Sequence, residues 1–350
     1  MTRDAQDIAG FARHGGRLCV ARALYPQVSE PWIDLSTGIN PTSYPAPPAS
    51  PQARNRLPEP TALHELERVA GRAFGIDASA QIAAVGGTES AVRLLPHVLA
   101  VGNALVVEPT YSSHLAAWRN SDVAAAGIRF DAVPDRFESE TALTVVNPNN
   151  PDGRIVDRMT LRSLHDRVAC SGGVLIVDEA FADIDPALSV ADIAGTDLAP
   201  RMIVLRSFGK FFGLAGLRLG FAIGSPALVQ SLRDLLGDWP VAVDAITAGL
   251  HAYADQPWMA SMRVQLLEQS KKMDAMLSGA GFRIVGGTSL YRLAAAPDAK
   301  QKFIHLLSHG VLARPFAYDA TLLRFGLPGQ DEWHRLSAVM AEIAQRGVEF

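Results

Sequence analysis

Short, unbroken apolar runs alternating with amphipathic helical stretches constrain this chain more than any other feature. The runs at 81–85, 105–107, 128–133, 143–146, 174–177 and 202–205 have the length of strands, and most lack polar alternation. That is the pattern of strands buried on both faces. Helical patterns lie between them. Leu63, Leu66, Val69, Ala70, Ala73 and Phe74 share one face, with Thr61 as the cap and Gly75 as the stop. Val92, Leu95 and Leu99 share another, and 112–119 and 161–169 follow. The alternation predicts an α/β domain with a mostly parallel sheet covered by helices. In such sheets functional residues gather in loops at the carboxyl ends of the strands.

Polar residues fall in those loops. Gly86-Gly87-Thr88-Glu89-Ser90 joins a strand to a helix. Glycines let backbone N–H groups approach a ligand, and a helix N-terminus carries partial positive charge, so the turn suits a phosphate. A capped helix with no ligand reads equally well. Glu108-Pro109-Thr110-Tyr111 follows the next strand, Asn147-Pro148-Asn149-Asn150-Pro151-Asp152-Gly153 another, and Asp178-Glu179-Ala180-Phe181 a third. After 202–205 comes Ser207-Phe208-Gly209-Lys210-Phe211-Phe212-Gly213, with Arg218 eight residues beyond the lysine. A lysine among aromatic and glycine neighbours is suited to losing its proton and forming a Schiff base, because desolvation disfavours the ammonium. Arg218 suits a phosphate clamp.

Prolines at 41, 45, 47, 48, 51, 58 and 60 exclude long helix and central strand from residues 1–60, yet Trp32, Ile33, Leu35 and Tyr44 are too apolar for a free linker. The chain is therefore expected to comprise an arm (1–60) that packs on the small domain and on a second subunit, a large domain (61–240) and a smaller α+β domain (241–350). In the last, Arg314 and Arg324 lie on strand-like segments. Half-buried arginines want anionic partners, either a carboxylate or phosphate ligand or a structural ion pair. Net charge is −4, so no basic excess advertises nucleic acid or an anionic membrane. Cys19 and Cys170 lack a CxxC partner, which points to a reducing compartment, and no metal site is expected. Residues 1–16 do not form a signal peptide, and no apolar stretch is long enough to span a bilayer. A cytoplasmic protein is expected.

Asn-Pro-Asn-Asn-Pro-Asp-Gly at 147–153, Asp-Glu-Ala-Phe at 178–181 and Ser-Phe-Gly-Lys with its downstream arginine at 207–218 resemble the fold-type I pyridoxal-phosphate enzymes, the aspartate aminotransferase superfamily. The likeness runs from the arm to Arg324 and implies pyridoxal 5′-phosphate as cofactor. It implies Lys210 as the Schiff-base lysine, Asp178 as partner of the pyridinium nitrogen, Asn150 as donor to the phenolic oxygen, and Tyr111 stacked on the ring. Gly87, Thr88, Ser207 and Arg218 would bind the cofactor phosphate, and Arg324 a substrate carboxylate. Within the superfamily the chain resembles the histidinol-phosphate aminotransferase subgroup, and inside it the L-threonine O-3-phosphate decarboxylases of cobalamin biosynthesis. The second likeness rests on His14-Gly15-Gly16 and Ser36-Thr37-Gly38-Ile39-Asn40-Pro41. It implies a small phosphorylated amino acid as substrate, its phosphate near His14, Gly38, Asn40 and Arg314, and a homodimer. Aminotransfer to or from histidinol phosphate is the alternative.

Two positions depart from the family pattern. Phe181 stands where a tyrosine usually touches the cofactor's ring oxygen, and Leu57 stands where a tyrosine often reaches across the dimer. A nucleotide-binding oxidoreductase would need GxGxxG and an acidic ribose partner, which the Gly86 turn lacks.

Overall fold

The computed structural model describes residues 10–12, 14–76 and 81–346. Its contacts divide the chain into two units. The larger holds 44–150 and 154–260, and the smaller holds the described chain up to Ser43, Pro151–Gly153 and everything from Ser261 onward. Composition places the limits at 60 and 240 instead. Pro240 is only a turn between the helices Pro226–Leu236 and Val243–Ala254, and the later limit falls inside one helix, Gln256–Gly279.

In chain order, the smaller unit begins with the helix Leu18–Leu24 and the strand β1 (Ile33–Asp34). The larger unit follows with β2 (Ile82–Val85), β3 (Asn103–Val107), β4 (Ala124–Ile128), β5 (Thr141–Val146), β6 (Val174–Asp178), β7 (Met202–Ser207) and β8 (Gly220–Ile223). These form one seven-stranded sheet in the order β2-β8-β7-β6-β5-β3-β4. Neighbours run parallel except at β8, which is antiparallel to both β2 and β7. Every residue of β2, β5, β6, β7 and β8 is buried. Val106, Ile176 and Leu205 of the sheet pack with Leu95, Trp118 and Leu232 of the helices around it. The helix Pro60–Ala73 starts on a proline that needs no N–H partner, and Gly75 at φ +78° stops the turn.

Two sheet elements differ from the sequence expectation. The strand expected over 128–133 is Ala124–Ile128, followed by a 3₁₀ turn at Phe130–Ala132. Its alanines carry little strand propensity, and an edge position asks for little. The reversed strand β8 is the other. It is four residues long and framed by Gly220 and Gly224.

The smaller unit carries β9 (Arg283–Thr288), β10 (Tyr291–Ala295), β11 (Val311–Leu312), β12 (Arg314–Pro315) and β13 (Leu322–Gly326). An antiparallel sheet has the order β12-β13-β10-β9, and β11 pairs in parallel with β1. The N-terminal segment is thus held by ladder bonds within this unit: Ile33 N–H donates to Gly310 O and Leu35 N–H to Leu312 O, each at 2.8 Å.

Candidate active site

Four strand ends of the larger unit lie at one level. Val85 stands opposite Gly220 and Gly220 opposite Ser207, while Leu205 pairs with Asp178 and Asp178 with Val146. Asn147 N–H donates to Asp178 O and Glu179 N–H to Leu205 O, both at 2.8 Å. The loops beginning at Gly86, Asn147, Asp178 and Ser207 therefore leave the sheet side by side. That brings Gly87, Thr88, Asn150, Asp178, Ser207, Lys210 and Arg218 to one edge.

Lys210 sits half-buried in the short helix Phe208–Phe211, its ammonium 6.0 Å from the centre of the Phe181 ring. Phe208 stacks on Phe212 at 4.7 Å and Phe212 on Trp258 at 5.7 Å, with Tyr253 edge-on to Phe212. This aromatic bed fixes the lysine loop from beneath. Arg206, just before Ser207, ties down the strand end. It is buried, pairs with Glu179 at 3.0 Å and with Asp183, and lies over the Phe74 ring at 4.5 Å. Burial alone would lower its pKa, but the two carboxylates outweigh it and keep the guanidinium charged.

Both oxygens of buried Asp178 are held. Ala180 N–H donates to Oδ1 at 3.0 Å, and His114 Nε2 lies 2.7 Å from Oδ2. His114 is absent from the residues expected from sequence. It follows Tyr111 by one helical turn, but nothing in the chain links it to a carboxylate sixty-four residues away. Tyr111 packs edge-on to His114, and its hydroxyl donates to Glu89 Oε2 at 3.1 Å. Burial pushes this phenol's pKa up. In the asparagine loop, Asn147 exchanges two bonds with Val156, and Asn149 bonds Thr110 and Pro109 O. These two asparagines build the loop that carries buried Asn150.

At Gly87 φ is +83°, and a Cβ there would stand 2.7 Å from Arg218 Nη2. A Cβ on Gly220 would stand 2.6 Å from Thr88 N. Only backbone fits at these points, so the Arg218 guanidinium and the start of the helix Thr88–Val98 are brought close. Arg218 itself adopts φ +55°, an uncommon conformation for a side-chain-bearing residue and one that tends to persist at functional sites. The arrangement fits an anionic group held by backbone N–H donors and one guanidinium.

The smaller unit gathers the other candidates. Arg314 and Arg324 stand directly opposite each other across β12 and β13. Arg324 is 3% exposed, lies 5.1 Å over the Tyr291 ring, and donates to Ser36 O at 2.8 Å. Burial, and then the charge of Arg314, push its pKa down to about 9. Ser36 belongs to the stretch that runs through Gly38 to Asn40. Gly326 N–H bonds Leu35 O at 2.6 Å, and Gly16 N–H bonds Ser36 Oγ at 2.7 Å. A Cβ on Gly15 would stand 2.2 Å from Ser36 O, so the turn after His14 lies flat against this stretch. Asn40 is buried, its Oδ1 accepting from Thr42 N–H.

Phe181 is buried, and Leu57 is 62% exposed. No described helix is long and apolar enough to cross a membrane.

Comparison with known proteins gives the same family. A threonine-phosphate decarboxylase of Pseudomonas aeruginosa is 37% identical over 328 residues, covering 93% of this chain and 96% of that relative. One from Sinorhizobium sp is also 37% identical, covering 90% and 92%. Among solved structures, the histidinol-phosphate aminotransferase of Sinorhizobium meliloti in complex with pyridoxal-5′-phosphate superposes with a TM-score of 0.77 at 17% identity, covering 93% of this chain and 94% of that one. The family model for aminotransferase class I and II matches residues 30–347. The chain belongs to the class I and II aminotransferase family.

Proposed function

We propose that this protein is a pyridoxal-phosphate-dependent decarboxylase that converts L-threonine O-3-phosphate to (R)-1-amino-2-propanol O-2-phosphate in cobalamin biosynthesis. The observation that carries the reading is the pair Arg314 and Arg324, directly opposite on adjacent strands. Like charges so placed repel. A substrate bearing both a phosphate and a carboxylate offers each an anion. The two 37%-identical threonine-phosphate decarboxylases support the same conclusion.

The residues at the edge of the large sheet fit the cofactor. Gly87, the N-terminal N–H groups at Thr88, Ser207 and Arg218 would hold its phosphate, Tyr111 would cover the ring and Asn150 would donate to its phenolic oxygen. Bound there, pyridoxal phosphate supplies a sink for the electron pair left at Cα when a bond to that carbon breaks. Asp178 keeps a carboxylate against the ring nitrogen, oriented by His114 and Ala180. Lys210 would anchor the cofactor through Nζ and would also be the group that carries a proton to Cα in place of the carboxyl group lost as carbon dioxide. The residues that grip the substrate would choose which bond to Cα breaks. Arg314, Asn40, His14 and the backbone at Gly38 would take the substrate phosphate, and Arg324 would take the carboxylate.

The enzyme acts as a cytoplasmic homodimer. Both cysteines are free thiols, in keeping with a reducing compartment. Incubating the holoenzyme with L-threonine O-3-phosphate is expected to release carbon dioxide in step with the phosphorylated amine. Silence there, with brisk transamination between histidinol phosphate and 2-oxoglutarate, would make it an aminotransferase instead.

A further inference from the structure

In the smaller unit, the helix Ala299–Ser308 and the helix Trp333–Arg346 bring two imidazoles and a carboxylate to one point. His305 and His309 are four residues apart, one helical turn, so both rings lie on one side. Their centres are 4.2 Å apart. His305 Nε2 is 3.4 Å and His309 Nε2 3.2 Å from the same atom, Glu342 Oε2. All three ligand atoms lie within 4.8 Å of one another.

The surroundings of His309 favour one tautomer. Its Nδ1 lies 2.9 Å from His305 O. Nδ1 also lies 3.1 Å from Ser308 Oγ, and since a carbonyl oxygen only accepts, a hydrogen on Nδ1 suits this position, the tautomer that turns a bare Nε2 outward. That bare nitrogen faces a carboxylate oxygen. A lone pair so placed meets the carboxylate favourably through a positive charge between them, either a proton on Nε2 or a metal ion. No residue of the proposed reaction is involved.

We propose that His305, His309 and Glu342 form a binding site for a divalent first-row transition ion, of which Zn²⁺ is the type. Tetrahedral ligands at about 2.0–2.1 Å from such an ion stand about 3.4 Å from one another. The two distances to Glu342 match that spacing. An imidazole whose Nδ1–H is anchored on a backbone carbonyl, with Nε2 turned to the ion, is the arrangement that fixes a histidine ligand. Two imidazoles and one carboxylate favour Zn²⁺, Co²⁺ or Ni²⁺ over Mg²⁺ or Ca²⁺, which prefer oxygen donors. Three protein ligands leave the remaining coordination to water. The Glu342 side chain is 47% exposed and His309 35%, so the ion enters from solvent. Once bound, it ties the end of the helix Ala299–Ser308 to the C-terminal helix.

Tag-free holoenzyme, stripped of metal by dialysis against chelator, is titrated with Co²⁺ and followed by its visible ligand-field absorption, and with Zn²⁺ by calorimetry. One equivalent per chain is expected to bind with saturation. His309→Gln and Glu342→Gln should each weaken it about tenfold or more. The surface variant Glu342→Gln should keep the wild-type melting temperature in chelator, so its lost binding is not lost folding. Absence of a saturable one-equivalent phase, or titrations identical in wild type and both variants, overturns the site and leaves an ordinary histidine–glutamate ion pair.

Discussion

A buried guanidinium beside another guanidinium is a poor structural choice, which makes Arg324 informative. It is almost wholly inaccessible, its pKa is pushed down by burial and by Arg314, and its Nη2 donates to the carbonyl of Ser36. Replacing a buried charge by an apolar side chain of similar volume is often neutral or stabilising, whereas losing an ion pair to a ligand is costly. Arg324→Met should therefore lower kcat/KM for L-threonine O-3-phosphate about hundredfold or more. The melting temperature should stay within about 3 °C of wild type, the shift that about 1 kcal/mol produces in a domain of this size. Steady-state kinetics and calorimetry on one preparation check both halves. Undiminished activity would remove Arg324 from the substrate site, and a collapse in melting temperature would make it a structural residue. The lysine, aspartate, asparagine and arginine that meet at the sheet edge are legible in sequence because each stands in a short motif after a strand. His114 is not, since its partner Asp178 is supplied by a distant strand end. Arg206 was missed for the same reason: its partners Glu179 and Asp183 are joined to it only when β6 and β7 pair.

At the scale of elements, the helix Arg158–Ala169 shows how local chemistry sets a boundary. Asp157 Oδ1 accepts from Thr160 N–H at 2.9 Å and Oδ2 from Thr160 Oγ1 at 2.7 Å. The backbone bond first, and the hydroxyl second, hold this carboxyl below its ordinary value of 3.8. The folded state thus keeps the carboxylate charged where the unfolded chain has begun to protonate it. The stabilisation is complete above the unfolded pKa and is lost as pH falls through the depressed folded value. Asp157→Asn keeps an acceptor at the cap but cannot titrate. Its melting temperature should accordingly fall less steeply than wild type on acidification, with the two curves diverging only on the acid side. Parallel curves would show that the cap's charge contributes nothing. Strand prediction succeeded where burial on both faces leaves an unbroken apolar run, as in β5, β6 and β7. It failed at β8, a four-residue strand that opens on Gly220, where a Cβ would stand against Thr88 N, and at β4, where an edge position tolerates alanine. The division at 60 and 240 followed proline content. The compact units instead follow hydrogen bonding, which attaches Ile33 and Leu35 to the strand at Val311–Leu312.

For the whole molecule, the question is what covers the apolar surface of the larger unit. Leu57 and Trp239 are 62% and 52% exposed, large side chains left to water. Both lie close in sequence to a fastening point: Arg54 pairs with Asp244 at 2.7 Å, joining the short helix Pro51–Arg54 to the helix Val243–Ala254. A contiguous apolar patch on a surface marks an association site, whereas singly exposed apolar residues are ordinary. A homodimer needs one face to meet its own copy across a two-fold axis, and Leu57 and Trp239 are the residues by which that face is tested. Light scattering coupled to size exclusion should give twice the mass of the single chain. The double variant Leu57→Asp/Trp239→Asp should raise the dissociation constant about a hundredfold or more, since two carboxylates per subunit would then be buried without partners. Leu267→Asp, on the exposed face of Gln256–Gly279 in the smaller unit, serves as the control and should leave the dimer intact. If the double variant stays as dimeric as wild type on dilution, these two residues do not form the interface. If wild type elutes as a monomer, the proposed active site has to be completed within one chain.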